Sequence, residues 1–144
     1  MFFEKTGPVW ETLRSLQERL DQAGIEYVLI GGLALNAYGY ARQTTDVDVV
    51  LTPDGFKRFA SEFTNNGYRR SARLPRRFLD SKTETAVDIL IAGQIAGRVE
   101  KNPSVRFPDP SEAVIQGDLR TVTLARLIEL KLVTWRYKDW GDVV

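Results

Sequence analysis

The chain contains no cysteine and no histidine, and both absences limit the chemistry open to it. Without cysteine there are no disulfides, no thiolate zinc sites and no cysteine nucleophile. Without histidine, the commonest general base and metal ligand of enzymes is missing. Among the routes for activating a hydroxyl group, one that uses carboxylates and a metal ion therefore becomes the leading one.

Long hydrophobic runs and a strong net charge are missing as well. No apolar stretch approaches the about 20 residues that a membrane span needs, and residues 1–5 lack the basic flank and apolar segment of an export signal. These features predict a cytoplasmic protein without a membrane partner. The formal net charge of +1 gives no overall case for nucleic-acid binding. The length of 144 residues predicts a single domain spanning 1–144.

Hydrophobic periodicity predicts an alternation of helices and strands. Leucines at helical spacing predict a first helix from Pro8 to Ala23, capped by Thr6 and stopped by Gly24. Predicted strands lie at 26–30, 46–51, within 68–92 and in a hairpin around 117–118, and predicted helices lie at 33–40, 52–66 and after 123. The proline-rich segment 93–110 is predicted to be irregular.

Three aspartates interrupt two apolar strands. Asp46 and Asp48 alternate with valines, and Asp88 lies within a second apolar run. Alternate strand residues point to one face about 6.5 to 7 Å apart at the backbone, so Asp46 and Asp48 project together. Their mutual repulsion is relieved by protonation or by a cation, and hard oxygen ligands suit Mg²⁺. A third acid on a neighbouring strand would let a second ion bind about 3.5 to 4 Å from the first. The alternative is an ordinary solvated strand face.

A pair of glycines, Gly31 and Gly32, lies between the predicted strand 26–30 and the predicted helix 33–40. Glycines allow a tight turn with exposed backbone amides, and anions bind well at such a turn and helix start. The sequence therefore predicts that phosphate and a carboxylate-bound metal meet in one site.

Basic residues are concentrated in one segment. Five arginines lie between Tyr68 and Phe78. Arginine pairs bidentately with phosphate and stacks on bases, which predicts a polyanion contact at Arg73, Arg76 and Arg77. The alternative is a hairpin edge protected by charge.

Two lysines near the C-terminal end, Lys131 and Lys138, are further candidates for contacts with phosphate. Lys131 lies on an otherwise apolar predicted helix, where it either extends to solvent or contacts phosphate at the active site. Lys138 and Asp139 are predicted to begin another helix close to the last residue. This pattern predicts a domain that lacks a C-terminal helical segment.

The stretch from Gly31 to Val50, GGLALNAYGYARQTTDVDVV, resembles the signature of the nucleotidyltransferase superfamily related to DNA polymerase beta. Asp88 occupies the place of that family's third acid. The resemblance is closest to small bacterial nucleotidyltransferases of AbiEii-type toxin systems. In those proteins an Arg and a Thr precede the acidic pair, as Arg42 and Thr44 or Thr45 do here.

The resemblance implies an α/β (α+β) fold, with a small mixed or antiparallel sheet and helices packed mainly on one face. It implies transfer of a nucleotidyl group from a nucleoside triphosphate to an acceptor hydroxyl, with release of pyrophosphate. Asp46, Asp48 and Asp88 would be the catalytic acids and the ligands of Mg²⁺ or Mn²⁺. The predicted nucleotide-binding residues are Gly31, Gly32, Arg42, Thr45, Lys131 and Lys138.

The sequence does not decide which molecule accepts the nucleotidyl group or which partners the protein binds. An RNA such as tRNA, or a protein, is one class of acceptor, and an aminoglycoside-like antibiotic is the main alternative. A toxin-system protein would also bind an antitoxin protein. The rival from a different class is a catalytically idle member of the same fold that binds nucleotides or a partner protein. The complete set of three acids argues against it, because clustered like charges are costly to keep.

Overall fold

A computed structural model describes residues 5–40, 43–97 and 105–138 of the chain, with the backbone alone over 134–138. The described helices are α1 Pro8–Ala23, α2 Gly31–Ala37, α3 Pro53–Phe63 and α4 Leu124–Lys138. The described strands are β1 Val28–Ile30, β2 Asp46–Leu51, β3 Tyr68–Arg70, β4 Arg77–Asp80, β5 Ala86–Ile91, β6 Val114–Gln116 and β7 Leu119–Thr121. None of these helices combines the length and the apolar character needed to cross a membrane.

The strands form one sheet in the order β3-β4-β5-β2-β1-β7-β6. β2 runs parallel to β5, and β1 runs parallel to β7, whereas the other neighbouring pairs are antiparallel. The predicted mixed α/β architecture is therefore confirmed. This order places β2 and β5, the two strands that carry the aspartates, side by side in the middle of the sheet.

Helix α1 begins and ends at the predicted residues. The N-cap of the helix is Gly7, which has no side chain that could cap it. The prediction that Thr6 caps the helix is therefore wrong. Gly24 adopts a left-handed conformation with φ of 70° and ends the helix, as the sequence predicted. The buried side chains of α1 are Trp10, Thr12, Leu13, Leu16 and Leu20.

The other three helices differ from their predicted bounds, and α3 ends at Phe63, three residues before its predicted end at 66. α2 begins at Gly31, directly after β1, so the glycines form the first turn of the helix instead of a separate loop. α4 begins after Thr123, whose Oγ1 accepts a hydrogen bond from Arg126 N at 3.2 Å. It continues to Lys138, so the prediction that Lys138 begins another helix is wrong. No glycine or proline interrupts the sequence between Leu124 and Lys138, which explains why the helix continues.

The aromatic residues of α3 form part of the core. Thr52 caps this helix by accepting a hydrogen bond from Gly55 N at 2.9 Å. The ring of Phe59 is fully buried and packs edge-to-face against Phe63 and Phe78, with ring centroids 5.1 and 4.9 Å away. Phe78 belongs to β4, so these contacts hold α3 against one face of the sheet.

Candidate active site

The aspartates of β2 and β5 lie on one face of the sheet. The parallel register of the two strands pairs Asp48 with Asp88. Paired residues on neighbouring strands point to the same face, and Asp46, two residues before Asp48, shares that face. The intervening valines of β2, Val47 and Val49, point to the other face and are completely buried. The strand alternation predicted from the sequence therefore separates acids from core.

β4 adds a positive charge to this row of acids. Its antiparallel register with β5 pairs Arg77 with Asp88. Arg77 Nε donates to Asp88 Oδ1 at 2.8 Å and Arg77 Nη2 donates to Asp88 Oδ2 at 2.9 Å. Nη2 also reaches Asp46 Oδ2 at 3.5 Å. The hydrogen bonding to Asp88 raises the pKa of the Arg77 guanidinium, so this residue is a constant positive charge beside the acids.

The position of Arg77 is the main feature that the sequence analysis missed. Arg77 was predicted to contact a polyanion, and any such contact stays a prediction, but its described partners are Asp88 and Asp46. A signal was present in the sequence. The turn 81–84 joins β4 to β5, and counting outward from that turn pairs Asp80 with Thr85 and then Arg77 with Asp88.

A cavity of about 750 Å³ brings most of the predicted site residues together. The predicted residues that line it are Gly31, Gly32, Thr45, Asp46, Asp48, Arg76, Arg77, Asp88 and Lys131. Arg73 lies on the exposed connection between β3 and β4 and does not line the cavity. Arg42 and the side chain of Lys138 lie outside the described residues, so their predicted roles stay predictions.

Gly31 and Asp48 are in unusually close contact. Gly31 has a φ of +75°, and a Cβ atom at this position would overlap the carboxylate of Asp48. Both the backbone conformation and the space therefore require glycine here. The sequence assigned Gly31 to phosphate binding, and the geometry adds that this glycine makes room for the acid.

Two threonine hydroxyls contact Asp46. Thr45 Oγ1 donates to Asp46 Oδ1 at 3.2 Å, and Thr44 Oγ1 donates to the backbone oxygen of Asp46 at 3.3 Å. Both distances are long for hydroxyl hydrogen bonds, so each contact is weak. The geometry links Thr45 to the orientation of Asp46, while its predicted contact with nucleotide stays a prediction.

The acids of the cavity suit a hard divalent cation. Mg²⁺ commonly uses one or two protein carboxylates together with waters and substrate phosphates, which the same-face pair Asp46 and Asp48 can provide. Within 5–40, 43–97 and 105–133, no group of three acidic side chains is arranged to hold a metal ion. Asp88 already accepts hydrogen bonds from Arg77 at both carboxylate oxygens. The arrangement fits a cation held by Asp46 and Asp48, and the ligand role of Asp88 stays a prediction.

Solved structures identify the architecture as a nucleotidyltransferase fold. Among them is ANT(2'')-Ia in complex with adenylyl-2''-tobramycin, which is 18% identical with a TM-score of 0.57, over 93% of this chain and 76% of that one. Another is a candidate nucleotidyltransferase from Thermotoga maritima, TM1012, which is 16% identical with a TM-score of 0.56, over 92% of this chain and 90% of that one. No protein-family model and no curated protein matches the chain. At these identities the likeness establishes the fold.

Proposed function

We propose that the protein is a metal-dependent nucleotidyltransferase that moves a nucleotidyl group from a nucleoside triphosphate to an acceptor hydroxyl and releases pyrophosphate. One observation carries the proposal: the register of β2 and β5 places Asp46, Asp48 and Asp88 on the wall of a single cavity. The nucleotidyltransferase fold of the matching structures supports it.

The donor nucleotide would be held by residues of β2, α2 and α4. Asp46 and Asp48 would hold Mg²⁺ or Mn²⁺, which when bound offsets the charge of the triphosphate and makes its phosphorus more electrophilic. Gly31 and Gly32 would hold the triphosphate through their backbone amides, while the space beside the Gly31 Cα is filled by Asp48. Lys131 lines the same cavity from α4, where its charge would stabilise the departing pyrophosphate.

The basic side chains on and beside the cavity favour an RNA acceptor such as tRNA over a polycationic one, once a metal ion offsets the aspartates. Beyond the three aspartates, the charged side chains described on the cavity wall are Arg76, Arg77 and Lys131. Arg73 adds an exposed positive charge on the adjacent connection. Arginine and lysine attract nucleic-acid phosphates, so RNA fits this surface better than a protein acceptor without acidic character.

An aminoglycoside acceptor is the second candidate. It is favoured by the matching ANT(2'')-Ia structure, which contains adenylylated tobramycin. A polycationic antibiotic would need acidic side chains to bind it, but the acids described in this cavity are the three aspartates. If two of these acids hold a metal ion, little negative charge is left for the drug.

We also propose that the protein is the toxin of a toxin-antitoxin system, acts in the cytoplasm and binds an antitoxin protein. This part of the proposal depends on the order of Arg42, Thr45 and the acidic pair, which resembles AbiEii-type nucleotidyltransferases. An idle nucleotide-binding protein of the same fold is the rival.

A transfer assay tests the function. The protein is incubated with each labelled nucleoside triphosphate and Mg²⁺, together with total bacterial RNA, a protein mixture or aminoglycosides. We expect label on RNA, and we expect Asp48→Asn to lower transfer at least about 10²- to 10³-fold, because a ligand of the nucleotide-bound metal is lost. Asp54→Asn removes the same charge from the exposed start of α3 and should retain activity.

Each other outcome has a distinct meaning. Full activity of Asp48→Asn would contradict the mechanism. Label on the aminoglycoside alone would favour the second candidate. Nucleotide binding without transfer to any acceptor would favour the idle protein.

A further inference from the structure

We propose that Arg77 is a positioning residue that stays paired with Asp88 and limits the acids to one divalent ion, held by Asp46 and Asp48. The inference rests on the proposed function and deepens it. In a site with two metal ions, a third acid shares the second ion. Here the third acid is bound to a cation that belongs to the protein itself.

The contacts of Asp88 make it a poor ligand for a second metal ion, because Arg77 already neutralises its charge. Both carboxylate oxygens accept hydrogen bonds from one guanidinium group, at 2.8 and 2.9 Å. These are the distances of a charge-assisted bidentate pair, which is the strong form of an arginine-carboxylate contact. A metal ion on Asp88 would be confined to the one lone pair that each oxygen keeps, and it would lie next to the positive charge of Arg77.

The backbone holds Arg77 in this place. Its N–H donates to Leu74 O at 3.0 Å, and its carbonyl accepts from Ser71 N at 2.8 Å. On the other side, Ile89 N donates to Arg76 O at 2.9 Å, which locks β4 onto β5. Only rotation of the side chain could therefore separate Arg77 from Asp88.

The charges near the acids leave no need for a second ion. In the absence of nucleotide, Arg77 and one divalent cation already match the three carboxylates, and Arg76 and Lys131 add further positive charge on the same cavity wall. Arg77 Nη2 also lies 3.5 Å from Asp46 Oδ2, so the same guanidinium connects the acid of β5 to a proposed metal ligand on β2. This contact is long and therefore weak, so the main partner of Arg77 is Asp88.

Electron paramagnetic resonance of bound Mn²⁺ tests the proposal. The folded chain is titrated with Mn²⁺ in the presence of a nonhydrolysable analogue of each common nucleoside triphosphate. Two Mn²⁺ ions about 3.5 to 4 Å apart couple magnetically and give a spectrum different from that of isolated ions. We expect isolated Mn²⁺ in the wild type and a coupled pair in Arg77→Gln, because that change frees Asp88.

Three variants make the result specific. Arg77→Lys keeps the positive charge and should retain isolated Mn²⁺. The double variant Arg77→Gln/Asp88→Asn should lose the coupled pair again, because the second ion depends on Asp88. Arg69→Gln is the matched control: Arg69 pairs with Glu84 on the same hairpin, outside the cavity, and its loss should leave the wild-type spectrum.

The outcomes separate this inference from the proposed function. A coupled pair in the wild type would overturn the role of Arg77 and leave the nucleotidyltransferase proposal standing. An unchanged spectrum in folded Arg77→Gln, checked by circular dichroism, would also overturn it. If Arg77→Gln does not fold, loss of isolated Mn²⁺ binding in Arg77→Lys or the double variant would do the same. No protein-bound Mn²⁺ with any nucleotide would overturn both proposals.

Discussion

At the scale of single residues, the candidate site depends on a position without a side chain. Asp48 lies against the Cα of Gly31, where a methyl group would overlap its carboxylate. A change at Gly31 therefore acts on the acid directly, although the glycine itself carries no functional group.

Gly31→Ala tests this dependence, and Gly24→Ala is its control. The two glycines have similar φ angles, +75° and +70°, but a Cβ at Gly24 meets nothing within 4 Å. Both variants should lose about 1–2 kcal/mol in urea unfolding, because alanine is strained at positive φ. Only Gly31→Ala should also lose nucleotide and Mn²⁺ binding, measured by calorimetric titration. Wild-type binding by Gly31→Ala would show that Asp48 has another place to go.

The acids were predictable at this scale and their partner was not. Charged residues inside apolar strands stand out in a sequence, so Asp46, Asp48 and Asp88 were found from local pattern alone. Arg77 lies in a segment with four other arginines, and composition does not distinguish it from them. Its contact with Asp88 follows from the strand register, which sets it apart from Arg73.

At the scale of secondary-structure elements, a buried polar contact joins α1 to the β4–β5 turn. Thr12 Oγ1 donates to Asp80 Oδ2 at 2.6 Å, and Asp80 Oδ1 accepts from Lys82 N at 2.9 Å. Thr12 is completely buried and Asp80 is 7% exposed. Because β4 carries Arg77, this contact also fixes the hairpin that carries the cation of the site.

Thr12→Val measures the strength of this contact. Valine has nearly the shape of threonine but cannot donate, so a buried Asp80 oxygen loses a hydrogen bond. We expect a loss of about 1–3 kcal/mol in the free energy of unfolding, measured with urea. The control is Thr64→Val, because Thr64 Oγ1 is buried and has no hydrogen-bond partner among the described residues. Equal losses in both variants would mean that the packing of the methyl group, and not the hydrogen bond, is being measured.

The elements themselves were largely predictable, but one pairing was not. Leucine spacing and Gly24 defined α1, and the short turn 81–84 correctly predicted that β4 and β5 are antiparallel. The parallel pairing of β2 with β5 joins segments that are separated by α3, β3 and β4. No local signal determines such a register, because it is set by how the whole sheet packs.

At the scale of the whole molecule, stability should fall in strong alkali. Tyr68 on the edge strand β3 is buried against Phe59 and Phe63. Burial raises the pKa of Tyr68 to about 12 from its ordinary value of 10.0. Below pH 10 the phenol is neutral in both the folded and the unfolded chain. The stabilising effect of burying Tyr68 on the free energy of unfolding is therefore fully present below that pH. Above pH 10 the unfolded chain loses this proton first, which favours unfolding.

Urea unfolding at pH 8 and pH 11 checks this expectation. The free energy of unfolding of the wild type should be lower at pH 11 than at pH 8. The part of this loss that comes from Tyr68 should reach on the order of 2 kcal/mol by pH 12. Tyr68→Phe should lose clearly less over the same interval. Some loss should remain, since burial raises the pKa of Tyr27 as well. An identical loss in both proteins would assign the alkaline sensitivity to other groups.

The two faces of the central strands have a consequence for how this sequence tolerates change. Substitutions at the even-numbered positions Asp46, Asp48 and Asp88 alter one charge at a time and leave the apolar layer intact. A single inserted or deleted residue in β2 would instead exchange the faces, burying carboxylates among aromatic rings and turning valines toward water. The register of β2 with its neighbouring strands is thus more tightly constrained than the identity of any one of its side chains.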